Sequence, residues 1–184
     1  GSSANQIFSG SGTWKFEPYL NGEHFILQGN YNGISVLEKR TNGWAFKNKV
    51  QGFNYSSKHF EILNNKDIFV SHEYKGIFRF QLDSQFRKGF GLYTYKYPYK
   101  GKNAGLSKFN NSIYYAYKDG IFKLNQKTKQ FKKDNTLSQV FDNNEYSSGK
   151  LIIDNSNKLW HFSKNYINYF TINKLNSGLK KNVI

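Results

Sequence analysis

The side chains best suited to catalysis or metal binding are four histidines and twelve carboxylates, and their spacing builds no known catalytic or metal site. No two of the histidines (His24, His59, His72 and His161) have an HxH or HExxH spacing, and there is no GxSxG motif or phosphate-binding loop. The run Asp154-Asn155-Ser156-Asn157 only weakly resembles the DxDxDG motif of a calcium-binding loop and is better explained as a turn. The sequence therefore predicts no catalytic residue, no metal, no cofactor and no enzymatic activity.

Ligand-binding chemistry is better represented, in short polar segments that combine aromatic rings, amides and charges. Aromatic faces and hydrogen-bonding groups that converge in one place are what a sugar- or peptide-binding surface requires. The alternative is that Asn, Asp, Gly and Lys occur in these segments simply because they are turn residues. The candidate ligand-binding residues are Tyr31, Asn32, His72, Tyr74, Lys75, Lys118, Asp119 and Lys164.

A repeated hairpin positions all of these residues. Asp67–Leu82 reads as two β-strands joined by a tight turn at Tyr74-Lys75-Gly76, with β-prone residues on both sides. The turn glycines Gly33, Gly76 and Gly120 are 43 and 44 residues apart, and Tyr166 occupies the glycine position of a fourth copy 46 residues later. A period of 40–50 residues built from short strands is typical of a β-propeller blade. The other three copies are Phe25–Leu37, Ser112–Leu124 and Lys158–Phe170.

The period predicts an all-β fold of β-propeller repeats, with four four-stranded blades that either close on themselves or form an open arc of a larger propeller. We expect residues 1–12 to be a tag remnant and a frayed segment, or to add a closing strand at Gln6–Ser9. The second and third strands of each blade should form the core, with Trp160 as a packing residue. Residues 127–133 and 136–141 should contain the third blade's outer strand. Leu179–Ile184 should be either the outer strand of the fourth blade or the start of a segment that continues beyond this sequence. The predicted blades span residues 13–50, 56–97, 104–141 and 146–184.

Composition limits the classes of function. The net charge is +15, but the lysines are spread over the strands and turns, so we expect solvated surface charge rather than a nucleic-acid-binding surface. No apolar run approaches the length of a membrane helix. The chain has no cysteine and no methionine. Gly1-Ser2 looks like a cloning remnant, which suggests that the natural protein extends beyond this sequence.

The hairpin segments also resemble a known family. The runs GNYNGISVLEK and FNYSSKHFEILNNKDIFVSHEYKGIFRFQLD are similar to the two-component-regulator propeller repeats of Bacteroidetes sensor proteins. Glu73 and Asn165-Tyr166 depart from the glycines that are usual in those turns. The matching segments follow the family's order and are Gly29–Gly33, Gly52–Ser57, Ile68–Arg79, Lys102–Leu106 and Asn157–Phe162.

The resemblance implies a ligand-sensing propeller segment, in a periplasmic or otherwise extracytoplasmic part of an inner-membrane protein, although a cytoplasmic location stays open. In that family the propeller precedes a β-sandwich, a membrane helix and a histidine kinase or helix-turn-helix regulator, and some members recognise polysaccharide fragments. The implied partners are a small ligand such as an oligosaccharide, further blades and C-terminal signalling domains, with a homodimer left open and nucleic acid not expected. The alternative function is a structural or protein-interaction propeller. A propeller lyase or hydrolase would require an acid–base site around His72 and Glu73.

Overall fold

The computed structural model describes residues 4–10, 12–95, 101–139, 144–156, 158–171 and 180–183, most of which are β-strand. Sixteen strands form four antiparallel four-stranded sheets, and in each sheet the strands lie side by side in chain order. This is the arrangement of four β-propeller blades, and it confirms the predicted fold class. No helix in these ranges is long and apolar enough to cross a membrane.

The first compact unit holds the first two blades, except for the turn Glu73–Lys75, which groups with the second unit. A short 3-10 turn at Leu20–Gly22 joins the first two strands. The strands of the first blade are β1 Thr13–Tyr19, β2 Phe25–Asn30, β3 Gly33–Arg40 and β4 Gly43–Lys49, and those of the second are β5 His59–Leu63, β6 Asp67–His72, β7 Gly76–Leu82 and β8 Gly89–Tyr95.

The second compact unit holds the third and fourth blades. A short helix in this unit, α1 (Asn135–Ser138), is capped by Asp134, whose carboxylate accepts a hydrogen bond from the backbone N–H of Leu137 at 2.9 Å. The strands of the third blade are β9 Gly105–Phe109, β10 Ser112–Tyr117, β11 Gly120–Asn125 and β12 Gln130–Lys133, and those of the fourth are β13 Tyr146–Ile153, β14 Lys158–Ser163, β15 Ile167–Thr171 and β16 Lys180–Val183.

The predicted central hairpins are confirmed in all four blades, and the turn glycines explain three of them. Gly33, Gly76 and Gly120 have φ angles of 125°, 105° and 128°, which L-amino acids with a side chain rarely adopt. The fourth hairpin manages without glycine, because the backbone N–H and hydroxyl of Ser163 both bond to the carbonyl of Tyr166. Hydrogen bonds that include a side chain therefore close this turn, whereas the other three turns use the conformational freedom of glycine.

Two predictions at the blade margins needed correction, and a third is confirmed. The segment Gln6–Ser9 is not a strand. In the third blade only Gln130–Lys133 is the outer strand, and the expected strand from Thr136 onward begins instead as helix α1; residues 140–143 lie outside the described ranges. In the fourth blade, Lys180–Val183 pairs with β15 as the outer strand, as expected.

The first unit is held together by apolar side chains that pack between its two blades. Leu27, Ile34 and Val36 of the first blade are fully buried in one cluster with Phe60 and Ile68 of the second. Burying side chains of this size stabilises a fold by about 1.5–3 kcal/mol each. Neither sheet could bury this face alone, so the two blades stabilise each other.

The second unit has its own apolar cluster, which joins its two blades and helix α1. Tyr114 and Ile121 of the third blade pack with Leu137 of the helix and with Leu159 and Phe170 of the fourth blade. The helix thus takes over packing that a longer outer strand would have supplied.

Trp160 does not reach the same depth as its counterparts. It is only half-buried, whereas the equivalent Phe69 and Tyr114 are buried. Its indole N–H donates to Asp154 at 2.9 Å, and its ring lies 5.0 Å from that of Tyr169. The side chain packs within the fourth blade, but it is not a core residue.

One ion pair crosses between the blades of the first unit. The Lys15 ammonium on β1 lies 2.8 Å from the buried Glu61 carboxylate on β5 and 2.7 Å from Glu17, and it donates to the carbonyl of Phe60. Burial disfavours the charged form of Lys15, but the two carboxylates outweigh it, so the pKa of Lys15 lies above its ordinary value. The charged pair therefore stabilises the contact between the blades.

We expect Glu61→Gln to lower the free energy of unfolding by about 1–2 kcal/mol at pH 8, because it removes a charge-assisted hydrogen bond from a poorly solvated ammonium. Lys15 has its raised pKa only in the folded state, so this contribution is complete below about pH 10 and is lost as the pH rises through that pKa. Urea unfolding of both proteins at pH 8 and pH 11 should show the difference shrinking. Glu38→Gln, which breaks the more exposed pair with Lys47, serves as a control and should have a smaller effect.

A glycine sets the spacing between the two blades of the first unit. A Cβ added at Gly29 would lie 2.2 Å from the carbonyl oxygen of Ser57, which is closer than atoms approach. The backbone N–H of Ser57 donates to the carbonyl of Asn30 at 2.9 Å, so the chain entering the second blade is bonded to β2 through main-chain atoms. Gly29 is required there because the two backbones meet without an intervening side chain.

We therefore expect Gly29→Ala to destabilise the protein by about 1–3 kcal/mol through overpacking. Gly43→Ala provides the comparison, because Gly43 has a φ of 113° but nothing within 4 Å of an added Cβ. That variant measures the cost of the backbone conformation alone. Equal thermal unfolding midpoints for Gly29→Ala and the wild type would contradict the close-approach argument.

Candidate functional site

The predicted site residues lie at the turns between the second and third strands of the blades. All of them are exposed except His72, which is half-buried, and the most exposed aromatic ring is Tyr74 at 67%. Tyr31, Asn32 and His72 belong to the first unit, and the turn with Tyr74 and Lys75 groups with the second. Exposure makes these turns accessible to a ligand, but it does not by itself join them into one site.

In the first unit the structure places Trp14 beside Tyr31 and Lys58 over Trp14, two residues that the sequence had not indicated. The Tyr31 ring lies 4.5 Å from the Trp14 ring, at an interplanar angle of 58°. The Lys58 ammonium lies 5.2 Å from the centre of the Trp14 ring, a cation–π distance. Trp14 and Tyr31 stay 39% and 55% exposed. We call Trp14, Tyr31 and Lys58 the aromatic corner.

Local backbone features bring the aromatic corner together. Trp14 is the extra residue of a β-bulge, since Thr13 pairs with Asn30 and Lys15 with Gly29. A bulge re-aims the side chain of the unpaired residue. The Tyr31 ring lies over Gly12, where an added Cβ would come within 2.3 Å of it.

The segment between the first two blades supplies Lys58. Its neighbour Ser57 is fully buried and hydrogen-bonds to β2 through its backbone, as described above. Asn30, the last residue of β2, is also buried, and its side-chain amide donates to Ser35 at 2.9 Å. The backbone on both sides of the corner is therefore fixed.

His72 packs against Tyr55. The two ring centroids are 5.9 Å apart in an edge-to-face arrangement, and Tyr55 is stacked on Phe78 at 4.6 Å. Such pairs contribute to packing. This contact places the His72 ring in the packing with Tyr55 and Phe78.

In the third blade, Lys118 is next to a pair of tyrosines. Its ammonium lies 5.7 Å from the centre of the Tyr117 ring, and Tyr117 meets Tyr146 edge-to-face at 5.6 Å. The Tyr146 hydroxyl donates to the carbonyl of Asn103 at 2.9 Å. Burial, with a smaller effect of Tyr117, raises the pKa of Tyr146, so this hydroxyl stays protonated and acts as a donor.

In the fourth blade, the turn residues are bound to the segment before β13. The Lys164 ammonium donates to the carbonyl of Asn144 at 2.7 Å, and the side-chain amide of Asn165 donates to Glu145 at 3.0 Å. Lys164 is exposed, but its hydrogen bond also gives it a structural role in joining the turn to the segment before β13. These contacts fit the alternative interpretation of this residue as an ordinary turn residue.

The remaining titratable residues build no metal site. Within the described ranges there is no group of three or more His, Asp or Glu side chains that could hold a metal ion. His161 is buried in β14 beside the carbonyl of Ser148, and His24 is exposed just before β2 rather than within it. Asp154 accepts hydrogen bonds from the backbone of Lys158 and from Trp160, which lower its pKa. The Asp154 run is thus a turn, as predicted.

Sequence reasoning missed Trp14, Tyr55 and Lys58. A β-bulge brings Trp14 to Tyr31, and no pattern in the sequence predicts that bulge. Tyr55 and Lys58 lie in the segment that precedes β5, and an available signal was the dense run of aromatic, hydroxyl and cationic residues at Phe53–Lys58. The grouping of the eight predicted residues into one ligand site stays a prediction.

Comparison with known proteins supports the fold and leaves the family open. No known protein family matches the sequence, and no curated protein matches it significantly. Among solved structures, the chain is similar to the extracellular domain of the hybrid two-component system BT3049 of Bacteroides thetaiotaomicron, with 18% identity, a TM-score of 0.58, and coverage of 85% of this chain and 20% of that one.

Two further solved structures share the fold. The extracellular domain of the one-component system BT4673 of B. thetaiotaomicron has 14% identity and a TM-score of 0.61, over 90% of this chain and 22% of that one. A protein from Bacteroides uniformis assigned as a 6-phosphogluconolactonase has 14% identity and a TM-score of 0.57, over 92% of this chain and 53% of that one. The chain thus spans about a fifth of the two sensor domains, and the predicted likeness to Bacteroidetes sensor propellers is confirmed at the level of the fold.

Proposed function

We propose that this chain is a non-enzymatic, ligand-sensing propeller segment of a membrane-associated signalling or transcriptional regulator, that it works outside the cytoplasm, and that its ligand is a glycan fragment. The observation that carries the proposal is the shared blade architecture with two extracellular domains of Bacteroides sensor systems. In this proposal, ligand bound at the turns shifts the equilibrium between two arrangements of the regulator.

The turns themselves support ligand binding. They present exposed aromatic rings, as at Tyr31 and Tyr74, together with ammonium groups such as Lys75 and Lys118. Aromatic rings bind the C–H faces of sugars, and ammonium groups bind their hydroxyl or acidic oxygens. These side chains stand on hairpins fixed by buried strands, which lowers the entropic cost of ordering them on binding.

A lactonase is the competing function, and the likeness to the B. uniformis protein is what favours it. That likeness concerns the fold alone, since the two chains are only 14% identical. A direct test is hydrolysis of 6-phosphogluconolactone by the purified chain. If the chain hydrolyses the lactone faster than the spontaneous rate, and His72→Ala loses that activity, the sensing proposal is wrong and the chain is an enzyme.

Sensing is tested in the regulator from which the chain comes, carried in a host with a transcriptional reporter. Growth on the polysaccharide that supplies the ligand should induce the reporter at least tenfold. Combined substitution of the turn residues Tyr31, Tyr74, Lys75 and Lys118 by Ala should abolish the induction while leaving the protein level unchanged.

The control variant carries Ala at four exposed positions away from these turns, on β1, β3 and β8: Phe16, Lys39, Phe90 and Tyr93. It should respond like the wild type. A regulator that fails to respond to any of a broad set of polysaccharides, or one whose response survives the turn substitutions, would overturn the proposal.

A further inference from the structure

We propose that the aromatic corner formed by Trp14, Tyr31 and Lys58 is a binding subsite for an acidic sugar residue, one that carries a carboxylate or a sulfate. The inference rests on the proposed function and adds to it a location and a ligand class. It draws on three observations among the described residues of the first unit: the exposed ring pair, the Lys58 ammonium that forms no ion pair, and the fixed backbone around them.

The ring pair offers a surface for a sugar. Because the rings of Trp14 and Tyr31 are inclined at 58°, they form two walls of a corner instead of stacking flat on one another. With 39% and 55% of their surfaces exposed, both keep aromatic area in contact with solvent. A pyranose has one face of C–H groups, which packs on such a ring while its hydroxyls stay in water.

The charge of Lys58 selects the type of sugar. Within the described part of the chain Lys58 is exposed and forms no ion pair, and its ammonium is held only over the Trp14 ring. Lys15 and Lys47 of the first blade, by contrast, lie within 2.8 Å of carboxylates. An acidic group on a sugar packed against Tyr31 would give Lys58 the counter-ion that the protein does not supply.

The corner is built in advance of binding. The β-bulge places Trp14, Gly12 leaves room for the Tyr31 ring, and the buried Ser57 fixes the backbone next to Lys58. Because Trp14 and Lys58 come from the first blade and from the segment that leads into the second, the corner depends on the packed unit. A preorganised site of this kind loses little entropy on binding.

A single-stranded nucleic acid would also use aromatic rings and lysines, but the surroundings of the corner do not favour it. Such binding depends on several phosphate contacts along a basic groove. Here Lys15 is already neutralised by Glu17 and Glu61, and Lys58 is the ammonium that the structure places over the Trp14 ring. One ammonium suits one acidic group.

The test uses isothermal titration calorimetry on the purified chain with four probes: a galacturonate hexamer, a heparin hexasaccharide, maltohexaose and a dT10 oligonucleotide. We expect at least one acidic oligosaccharide to bind at least tenfold more tightly than maltohexaose. The first probe represents carboxylate and the second sulfate, so the stronger of the two identifies the acidic group.

The variants locate the binding. Tyr31→Ala and Trp14→Ala should each weaken the acidic sugar at least tenfold, and Lys58→Gln should remove the preference over maltohexaose. Gly12→Ala, which displaces the Tyr31 ring without deleting it, should weaken binding several-fold. The matched controls are Tyr93→Ala, which removes another exposed aromatic ring of the same unit, and Lys39→Gln; both should bind as the wild type does. Thermal unfolding of each variant checks that it is folded.

Several outcomes would overturn this inference: no binding of either acidic sugar, binding that the corner variants leave unchanged, equal affinity for maltohexaose, or tighter binding of dT10 through the same residues. In each of these cases the proposed sensing function would still be judged by the reporter response of the whole regulator. If the regulator gives no reporter response but an acidic sugar binds at the corner, the sensing proposal is contradicted and the subsite proposal stands. The two experiments therefore test the two proposals separately.

Discussion

The structure depends on apolar faces that neither of two adjacent sheets can bury alone. In the first unit, Leu27, Ile34 and Val36 are shielded from water only because Phe60 and Ile68 lie against them. Each blade is a small four-stranded sheet, and a sheet of that size has too little interior to be stable by itself. The requirement for a neighbour therefore explains why the hairpin recurs, and why the turns that carry exposed rings and charges are held so firmly.

Much of this could be predicted from the sequence, because the turn glycines and the β-prone runs around them carry a strong period. The hairpins around Gly33, Gly76 and Gly120 were predicted closely. The outer margin of the third blade was not, since the run after Asp134 has a helix cap that competes with strand formation. Near the N-terminus, Gln6–Ser9 looked like a strand only by analogy with propellers that close with one.

The candidate site was less predictable than the fold, because contacts between side chains depend on details that no period encodes. Tyr31 was found because it lies in a repeated turn. Trp14 was missed because a bulge, not an alternation pattern, brings it to Tyr31, and Lys58 because its position depends on how Ser57 docks on β2. For His72 the structure adds a contact that the sequence did not indicate, the edge-to-face packing on the aromatic ring of Tyr55.

The joint at Gly29 has a consequence for how such chains diverge. There the two blades meet through backbone carbonyl and amide groups, at a position where Gly29 has no Cβ to keep them apart. The contact therefore requires glycine at position 29 and almost nothing else of residue identity. Substitutions of the surrounding side chains should therefore leave this main-chain contact intact as long as position 29 stays glycine.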